Sequence, residues 1–474
     1  MNKFSFPVLL GVLLVLGACS LAPEYERPES PVAGAWPTGA AYVPDGPDAP
    51  RAADLKWPDF FTSAPLRKII RQALENNRDL RLAALAVERA QGMYGIQRGD
   101  LFPSFSASGG GTRQRRSADL VAPPRMAAQY NVDLGFAAWE LDFFGRIRNL
   151  SEQALEAYLE TEEGRRGVQI ALIGQVARNY FLLAADRENL ALARSTLESQ
   201  QAEYELTRKR FDVGVVSELD LKRAHIPVDT ARADLARYTQ LAAQDLNALT
   251  LLAGAPIPGE WLPDGLEAAG TLRDVAAEIP SEVLLRRPDV IAAEHRLKGA
   301  YAYIGAARAA LFPRIALTGS LGTASNELSG LFGNHTGTWL FSPQFSVPIF
   351  DTRLWAALRV SKTDREIALT QYEKAVQTAF REVADALAVR GTIDEQLAAQ
   401  ESLTATVADA YRLAERRYSS GIESYLSVLD AQRSHFVARQ SLVTLRFAKI
   451  AAQIQLYAAL GGGAEQAGNQ GSAE

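Results

Sequence analysis

One cysteine, Cys19, is all that the 474 residues contain, which excludes a disulfide framework and any zinc site built on thiolates. Histidine is nearly as scarce: His225, His295, His335 and His435 are scattered without metal-ligand spacing. His-Glu-x-x-His, the phosphate-binding Gly-x-x-x-x-Gly-Lys and Gly-x-Ser-x-Gly are all missing, so no catalytic residue, cofactor site or metal site is expected. Three methionines make no ladder for copper or silver. Positive charge is not in excess either. The 50 Lys plus Arg stand against 55 Asp plus Glu, which argues against a nucleic-acid partner. What remains, with 47% hydrophobic and 22% charged residues, is the composition of an ordered chain, long enough for two domains or one large repeated structure.

Long apolar runs are limited to one, Phe6 to Leu16, shorter than the roughly 20 residues of a membrane-spanning helix. With Lys3 before it and small residues after it, residues 1–18 read as a signal peptide. Leu16-Gly17-Ala18-Cys19 resembles the bacterial lipobox, where cleavage before the cysteine accompanies attachment of lipid to its sulfur. Cys19 is therefore the expected lipidation site; the alternative is a secretory signal with a chance cysteine. By analogy with other bacterial lipoproteins, Ser20 in place of Asp favours sorting to the outer membrane. Residues 19–65 carry seven prolines between Pro23 and Pro50 and predict an extended lipidated segment with little helix. Residues 461–474, rich in Gly, Ala, Ser and Gln, predict a disordered tail.

The body is a duplication. Arg98-Gly99-Asp100-Leu101-Phe102-Pro103 recurs as Arg308-Ala309-Ala310-Leu311-Phe312-Pro313, and Arg210 to Ser217 recurs as Arg417 to Ser424, each about 210 residues on. Two structural repeats follow, 66–260 and 261–460, each with a helix, a β-hairpin, a long helix and a further helix. In the first, helices are predicted over Leu66 to Leu101, Arg146 to Val213 and Ser217 to Leu252, the last with Ser217 and Asp220 in a capping-box pattern. In the second they run over Pro288 to Leu311, Arg353 to Ser420 and Ser424 to Leu460. Pro288 suits a first helical position, and Pro227, inside a helix, should kink it at a cost near 3 kcal/mol if uncompensated.

Two patterns say how these elements pack. Leu190, Leu197, Tyr204 and Phe211 fall seven apart, as do Leu397, Thr404, Tyr411 and Tyr418, the spacing of coiled-coil seams. Short strands are predicted over Ser104 to Gly111, Tyr130 to Ala138, Ile315 to Leu321 and Phe345 to Ile349, to be set against the roughly 9 to 11 residues of a membrane strand. Four strands cannot close a barrel that needs at least about eight, so copies would have to share one; two soluble hairpins are the alternative.

At this point the residues resemble the TolC-like outer-membrane efflux factors, in the lipoprotein branch containing OprM and NodT. The resemblance rests on the lipobox at Cys19, Tyr25-Glu26-Arg27-Pro28, the segment Trp139 to Arg146, the segment Ile279 to Val290, Leu311-Phe312-Pro313, Pro348-Ile349-Phe350-Asp351 and Leu429 to Arg433. It covers Cys19 to about Leu460. It implies a mainly α fold with a membrane β part: a homotrimer with four strands per protomer in a shared twelve-stranded outer-membrane barrel, and long helices forming a periplasmic tunnel. The implied function is the passive outer-membrane channel of a tripartite efflux system. Its implied partners are outer-membrane lipid, a periplasmic adaptor (membrane fusion protein) and an inner-membrane transporter of the RND type. The family's gate carries over to Arg417, Tyr418 and Asp430, with Arg210, Phe211 and Asp220 as first-repeat counterparts and Gly214 and Gly421 at the tip turns. Asp430 is expected to face Arg417 or a basic residue of a neighbouring helix. The first repeat departs from the pattern, since Arg223 stands where the second has Asp430. Arg286 and Arg287 are expected as structural ion-pair donors. A type I protein-secretion channel and a structural helical lipoprotein without a channel are the rival readings.

Overall fold

A computed structural model describes residues 20–43, 50–52, 55–115, 126–277 and 286–463, so Cys19 and the segment 278–285 lie outside the described residues. The elements are α1 (Trp57–Phe60), α2 (Ala64–Asn76), α3 (Arg78–Gly99), β1 (Phe105–Arg115), β2 (Met126–Leu141), α4 (Arg146–Asp212), α5 (Glu218–Ala253) and α6 (Leu266–Ala269). The same order of long elements then returns as α7 (Pro288–Ala309), β3 (Arg314–Ser325), β4 (Gly337–Ser346), α8 (Thr352–Ser419) and α9 (Tyr425–Ala459). At 1.5 Å per residue, the 68 residues of α8 extend about 100 Å.

One predicted helix is in fact two. The run from Leu66 to Leu101 breaks at Asn77, whose ψ of 133° leaves the helical region. The buried Asn77 side chain makes the break stable from both sides: Oδ1 accepts from the Leu80 amide at 3.0 Å, capping α3, and Nδ2 donates to the Leu252 carbonyl at 3.0 Å. Pro227, by contrast, does not interrupt α5. Its missing amide leaves the Arg223 carbonyl without the partner residue 227 would normally supply.

The described residues divide into two compact units, the first formed by 20–29, 86–115, 126–162 and 292–373 and the second by 30–43, 50–52, 55–85, 163–277, 286–291 and 374–463. The first holds a four-stranded antiparallel sheet in the order β1-β2-β3-β4. Cross-strand partners Ala107, Leu134, Leu321 and Trp339 lie in one row, and Ser108, Asp133, Gly322 and Thr338 in the next. Side chains alternate across a sheet, so one face carries Phe105, Val132, Leu134, Phe136, Leu321, Trp339 and Phe341 and the other Ser106, Ser108, Asn131, Asp133, Ser320 and Ser342. Within the single chain the apolar face is bare: Leu321 is 70% exposed and Trp339 77%. Strand β2 bulges between Phe136 and Trp139, where Ala138 adopts φ 50° and its amide bonds the Thr318 hydroxyl at 3.0 Å. Strand β4 shares only Phe345 and Ser346 with the predicted run Phe345 to Ile349: it starts eight residues earlier, at Gly337, and ends before Val347 and Ile349. Pro348 has no amide with which to extend the ladder, and Ile349 stands 95% exposed outside it.

Also in the first unit, the extended N-terminal segment is fastened by a buried carboxylate on α7. Arg27 grips both oxygens of Glu294 at 2.9 Å, and the Tyr25 hydroxyl donates to Oε1 at 3.1 Å. Burial pushes the Glu294 carboxyl up, but the Arg27 hydrogen bonds and the Lys298 charge more than reverse this and hold it below the usual range.

The second unit contains the main core, where α1, α2, the middle of α4 and the end of α9 meet. Phe60 stacks on Tyr457 at 4.0 Å, with Leu66, Ile70, Val176, Phe181 and Leu183 fully buried around them. Val376, Val383 and Leu387, at helical spacing on α8, are buried too. The extended segment crosses α8 where Gly391 has no side chain; a Cβ there would sit 2.2 Å from the Ala41 carbonyl. Arg287 acts as the structural ion-pair donor expected of it, reaching Asp289, Glu382 and the Ala459 carbonyl. The first three residues of the predicted disordered tail are ordered. Gly461–Gly463 form a turn whose last carbonyl accepts from Gln169 at 3.1 Å, and residues 464–474 lie outside the described residues.

Asp186 of α4 and Asp245 of α5 form a carboxyl pair in this unit. Burial and the Asp186 partner push Asp245 up to about 7, and burial raises Asp186 as well, with Arg237 working against it. A carboxyl raised on folding stabilises fully below its unfolded value near 4 and loses that contribution as pH rises through about 7. Thermal unfolding at pH 5.5 and pH 8 should therefore show the higher midpoint at pH 5.5 by several degrees, and Asp245→Asn should flatten the difference. Equal slopes in both proteins would remove the shared proton from the account.

Candidate functional site

The two helical hairpins, α4–α5 and α8–α9, turn through the same device. Asp212 ends α4, the Gly214 amide bonds the Phe211 carbonyl at 2.8 Å and the Val215 amide bonds the Arg210 carbonyl at 2.9 Å. The second turn repeats this with Gly421 to Tyr418 at 3.0 Å and Ile422 to Arg417 at 2.9 Å. Gly214 at φ 77° and Gly421 at φ 72° occupy the left-handed region that closes a helix, where any side chain is strained. The predicted capping box is present. The Ser217 hydroxyl accepts from the Asp220 amide at 3.2 Å, and Asp220 accepts in return from the Ser217 amide at 3.2 Å. These bonds to Ser217, with a smaller contribution from the Arg223 charge, lower the Asp220 carboxyl below its ordinary range. Ser424, at the equivalent position, makes no side-chain cap bond: the Ser427 amide donates to the Ser424 carbonyl at 3.2 Å, and Ser427 has no carboxylate to return a bond to the cap.

Of the expected gate residues, the fold brings Arg210 and Tyr418 together. Arg210 donates to the Tyr418 hydroxyl at 2.7 Å, and its guanidinium lies 5.7 Å from the ring centre, so α4 is tied to α8 just above the turns. Tyr418 also packs on Tyr425 at 5.3 Å, and burial raises the Tyr425 hydroxyl with help from the Glu203 charge. Phe211 is exposed and Asp220 is spent on its cap. Asp430 does not pair with Arg417 within the chain. It accepts from Arg433 at 2.6 Å, one turn along the same helix, while Arg417 donates to Glu423 at 2.8 Å across the turn. Both of these partners went unpredicted. Arg433 was visible as an i,i+3 charge pair. Glu423 needed the turn geometry.

The heptad tyrosines meet histidines along the same hairpins. Tyr204 contacts His225 edge-on at 4.9 Å, and Tyr411 stacks on His435 at 5.9 Å, where burial and then Arg439 lower the imidazole. No group of three or more His, Cys, Asp or Glu that could hold a metal occurs among the described residues.

Comparison with known proteins places this arrangement. A model of the outer membrane efflux protein family matches residues 69–255 and again 279–462. TtgC of Pseudomonas putida, a probable efflux pump outer membrane protein, is 47% identical over 468 residues, covering 97% of this chain and 96% of TtgC. A crystal structure of a membrane protein from Pseudomonas aeruginosa aligns with TM-score 0.87 at 40% identity, covering 93% of this chain and 100% of that one. The open state of the Neisseria gonorrhoeae MtrE outer membrane channel aligns with TM-score 0.86 at 38% identity, covering 94% and 99%. Paired glycine turns under two long hairpins, a four-stranded sheet with a bare apolar face and this likeness along nearly the whole length have one reading: the chain belongs to the outer membrane efflux protein family.

Proposed function

We propose that this chain is the outer-membrane channel of a tripartite efflux system, in which three copies share one twelve-stranded barrel and small molecules pass without chemistry in the channel itself. The sheet carries the reading. Its edges, β1 and β4, are unpaired among the described residues, one face is apolar and the other polar. Backbone groups left unsatisfied in hydrocarbon cost several kcal/mol each, so β4 of one copy joining β1 of the next answers both edges at once. TtgC is named an efflux pump component and MtrE an outer membrane channel, which supports the same role here. On this reading the two repeats, 66–260 and 261–460, each give one hairpin of strands to the barrel and one hairpin of helices to the tunnel. A periplasmic adaptor and an inner-membrane RND transporter supply the cargo and the energy. Light scattering in mild detergent and planar-bilayer recording test this together: three chains per particle and discrete conductance are expected, and a stable membrane-inserted monomer or a silent bilayer sinks it.

The tip residues Arg210, Tyr418, Arg417 and Asp430, with the Gly214 and Gly421 turns, are proposed as the constriction. The exposed Asp430–Arg433 pair lies within one helix and is the same in open and closed states, so a bias on the closed state comes from contacts of these side chains with a neighbouring copy, each worth at most about 1 kcal/mol and repeated three times. A ring of three aspartates would also concentrate cations. Asp430→Ala should therefore raise single-channel conductance and weaken cation preference together; if both stay unchanged in an inserted channel, the constriction lies elsewhere.

A further inference from the structure

A cavity of about 300 Å³ opens among α4, α5 and α9, a size within the range of small-molecule sites. Its walls are Ile226, Pro227, Leu426, Leu429 and Phe436, so they are mainly apolar, and the Ile226 and Leu426 side chains stand exposed at its surface. Four charged residues line it, and their pairing decides the sign of what it can hold. Asp430 is answered by Arg433 at 2.6 Å, and Asp234 by Arg237 at 3.4 Å, each on its own helix. Arg223 is left over. It makes no hydrogen bond or ion pair among the described residues, and the acid one turn before it, Asp220, is committed to the Ser217 cap.

A second polar group waits on the opposite wall. Gln200 of α4 lines the cavity, is 3% exposed, and its Oε1 has no hydrogen-bond partner. An amide end left unpaired in a buried position costs about 1–3 kcal/mol, and a half-turn of the amide exchanges acceptor for donor. Thr230 also lines the cavity, seven residues along α5 from Arg223. The cavity wall along α5 therefore runs about 10 Å, room for two fused aromatic rings lying along the helix.

We propose that this cavity binds an aromatic carboxylate carrying a second polar group at its far end. The carboxylate pairs with the Arg223 guanidinium, the rings fill the space between Ile226, Pro227, Leu429 and Phe436, and the distal group hydrogen-bonds the Gln200 amide. An occupant so placed lies between α5 and α9 and bridges the two hairpins. The cavity adjoins the proposed constriction, since Asp430 lines it, but binding is measured without conduction, so the two readings fail separately.

The test is titration calorimetry of the full chain in dodecyl maltoside with sodium 6-hydroxy-2-naphthoate. Saturable heat is expected at one site per chain, absent from protein-free micelles. Affinity should fall at least tenfold in Arg223→Gln, and likewise when the probe is replaced by 2-naphthylmethylammonium chloride, which reverses the charge. Thr230→Trp, which fills the cavity from an exposed helix position, should abolish the signal. Heat equal to that of empty micelles, an affinity untouched by Arg223→Gln or Thr230→Trp, or a cation that binds as well as the anion would each overturn the proposal. So would a groove closed to the probe by a second copy of the chain. If Arg223→Gln failed to fold, the charge-reversed probe on the wild type would still decide the sign.

Discussion

Cys19→Ser should lose all incorporation of radiolabelled palmitate while the wild type is labelled. The expectation rests on a lone cysteine directly after a short apolar run and Leu16-Gly17-Ala18. The sulfur has no substitute, since there is no other thiol in the chain. The serine variant should nonetheless keep part of its membrane association, because each buried methylene of an acyl chain is worth about 0.8 kcal/mol whereas a closed barrel is a separate and stronger anchor. Labelling of Cys19→Ser at the wild-type level would refute lipidation at this residue and leave the signal peptide as an ordinary secretory one.

Arg287→Ala should be the most damaging single change in the helical core, at about 3 kcal/mol. The guanidinium is almost fully enclosed, donates to the Ala459 carbonyl at 3.0 Å, and neutralises Asp289 and Glu382 at 2.7 Å each. Truncation strands a buried carbonyl and sets two carboxylates beside the start of α7 without a counter-charge. The half-exposed acids soften the loss, because water reaches them. Arg287→Lys keeps the charge but loses the fork that serves three acceptors, so it should recover only part of the stability. Urea unfolding monitored by circular dichroism gives the comparison; a loss below about 1 kcal/mol in the alanine variant would show that the contacts are incidental.

Much of the architecture was readable from periodicity and caps. Ser217 with Asp220 fixed the start of α5, Pro288 marked the start of α7, and the glycines at 214 and 421 marked both turns. The failures share a cause, which is that a local pattern says nothing about a distant partner. Asn77 lies in a helical stretch and breaks it only because the Leu252 carbonyl, far along the chain, is there to receive its amide. The β4 boundary has another cause, since the alternation of Phe345, Val347 and Ile349 runs on past Pro348, which has no amide to carry the ladder with it. At the tip, the aromatic and basic residues were recognisable by type, but Arg210 reaches Tyr418 across two repeats and Asp430 turns to its own helix. Periodicity identifies the face on which a charge lies; the choice of partner depends on the rotamer and on the neighbouring helix.

The open edges of the β1-β2-β3-β4 sheet have a genetic consequence. If each edge is completed by another copy, no chain can act alone, and a defective chain that still assembles spoils every particle it enters. In a cell making equal amounts of wild-type and defective chains, random assembly by threes leaves only about one particle in eight free of the defect. Variants that block the passage but keep β1 and β4 intact should therefore behave as dominant, and variants that destroy either edge strand as recessive.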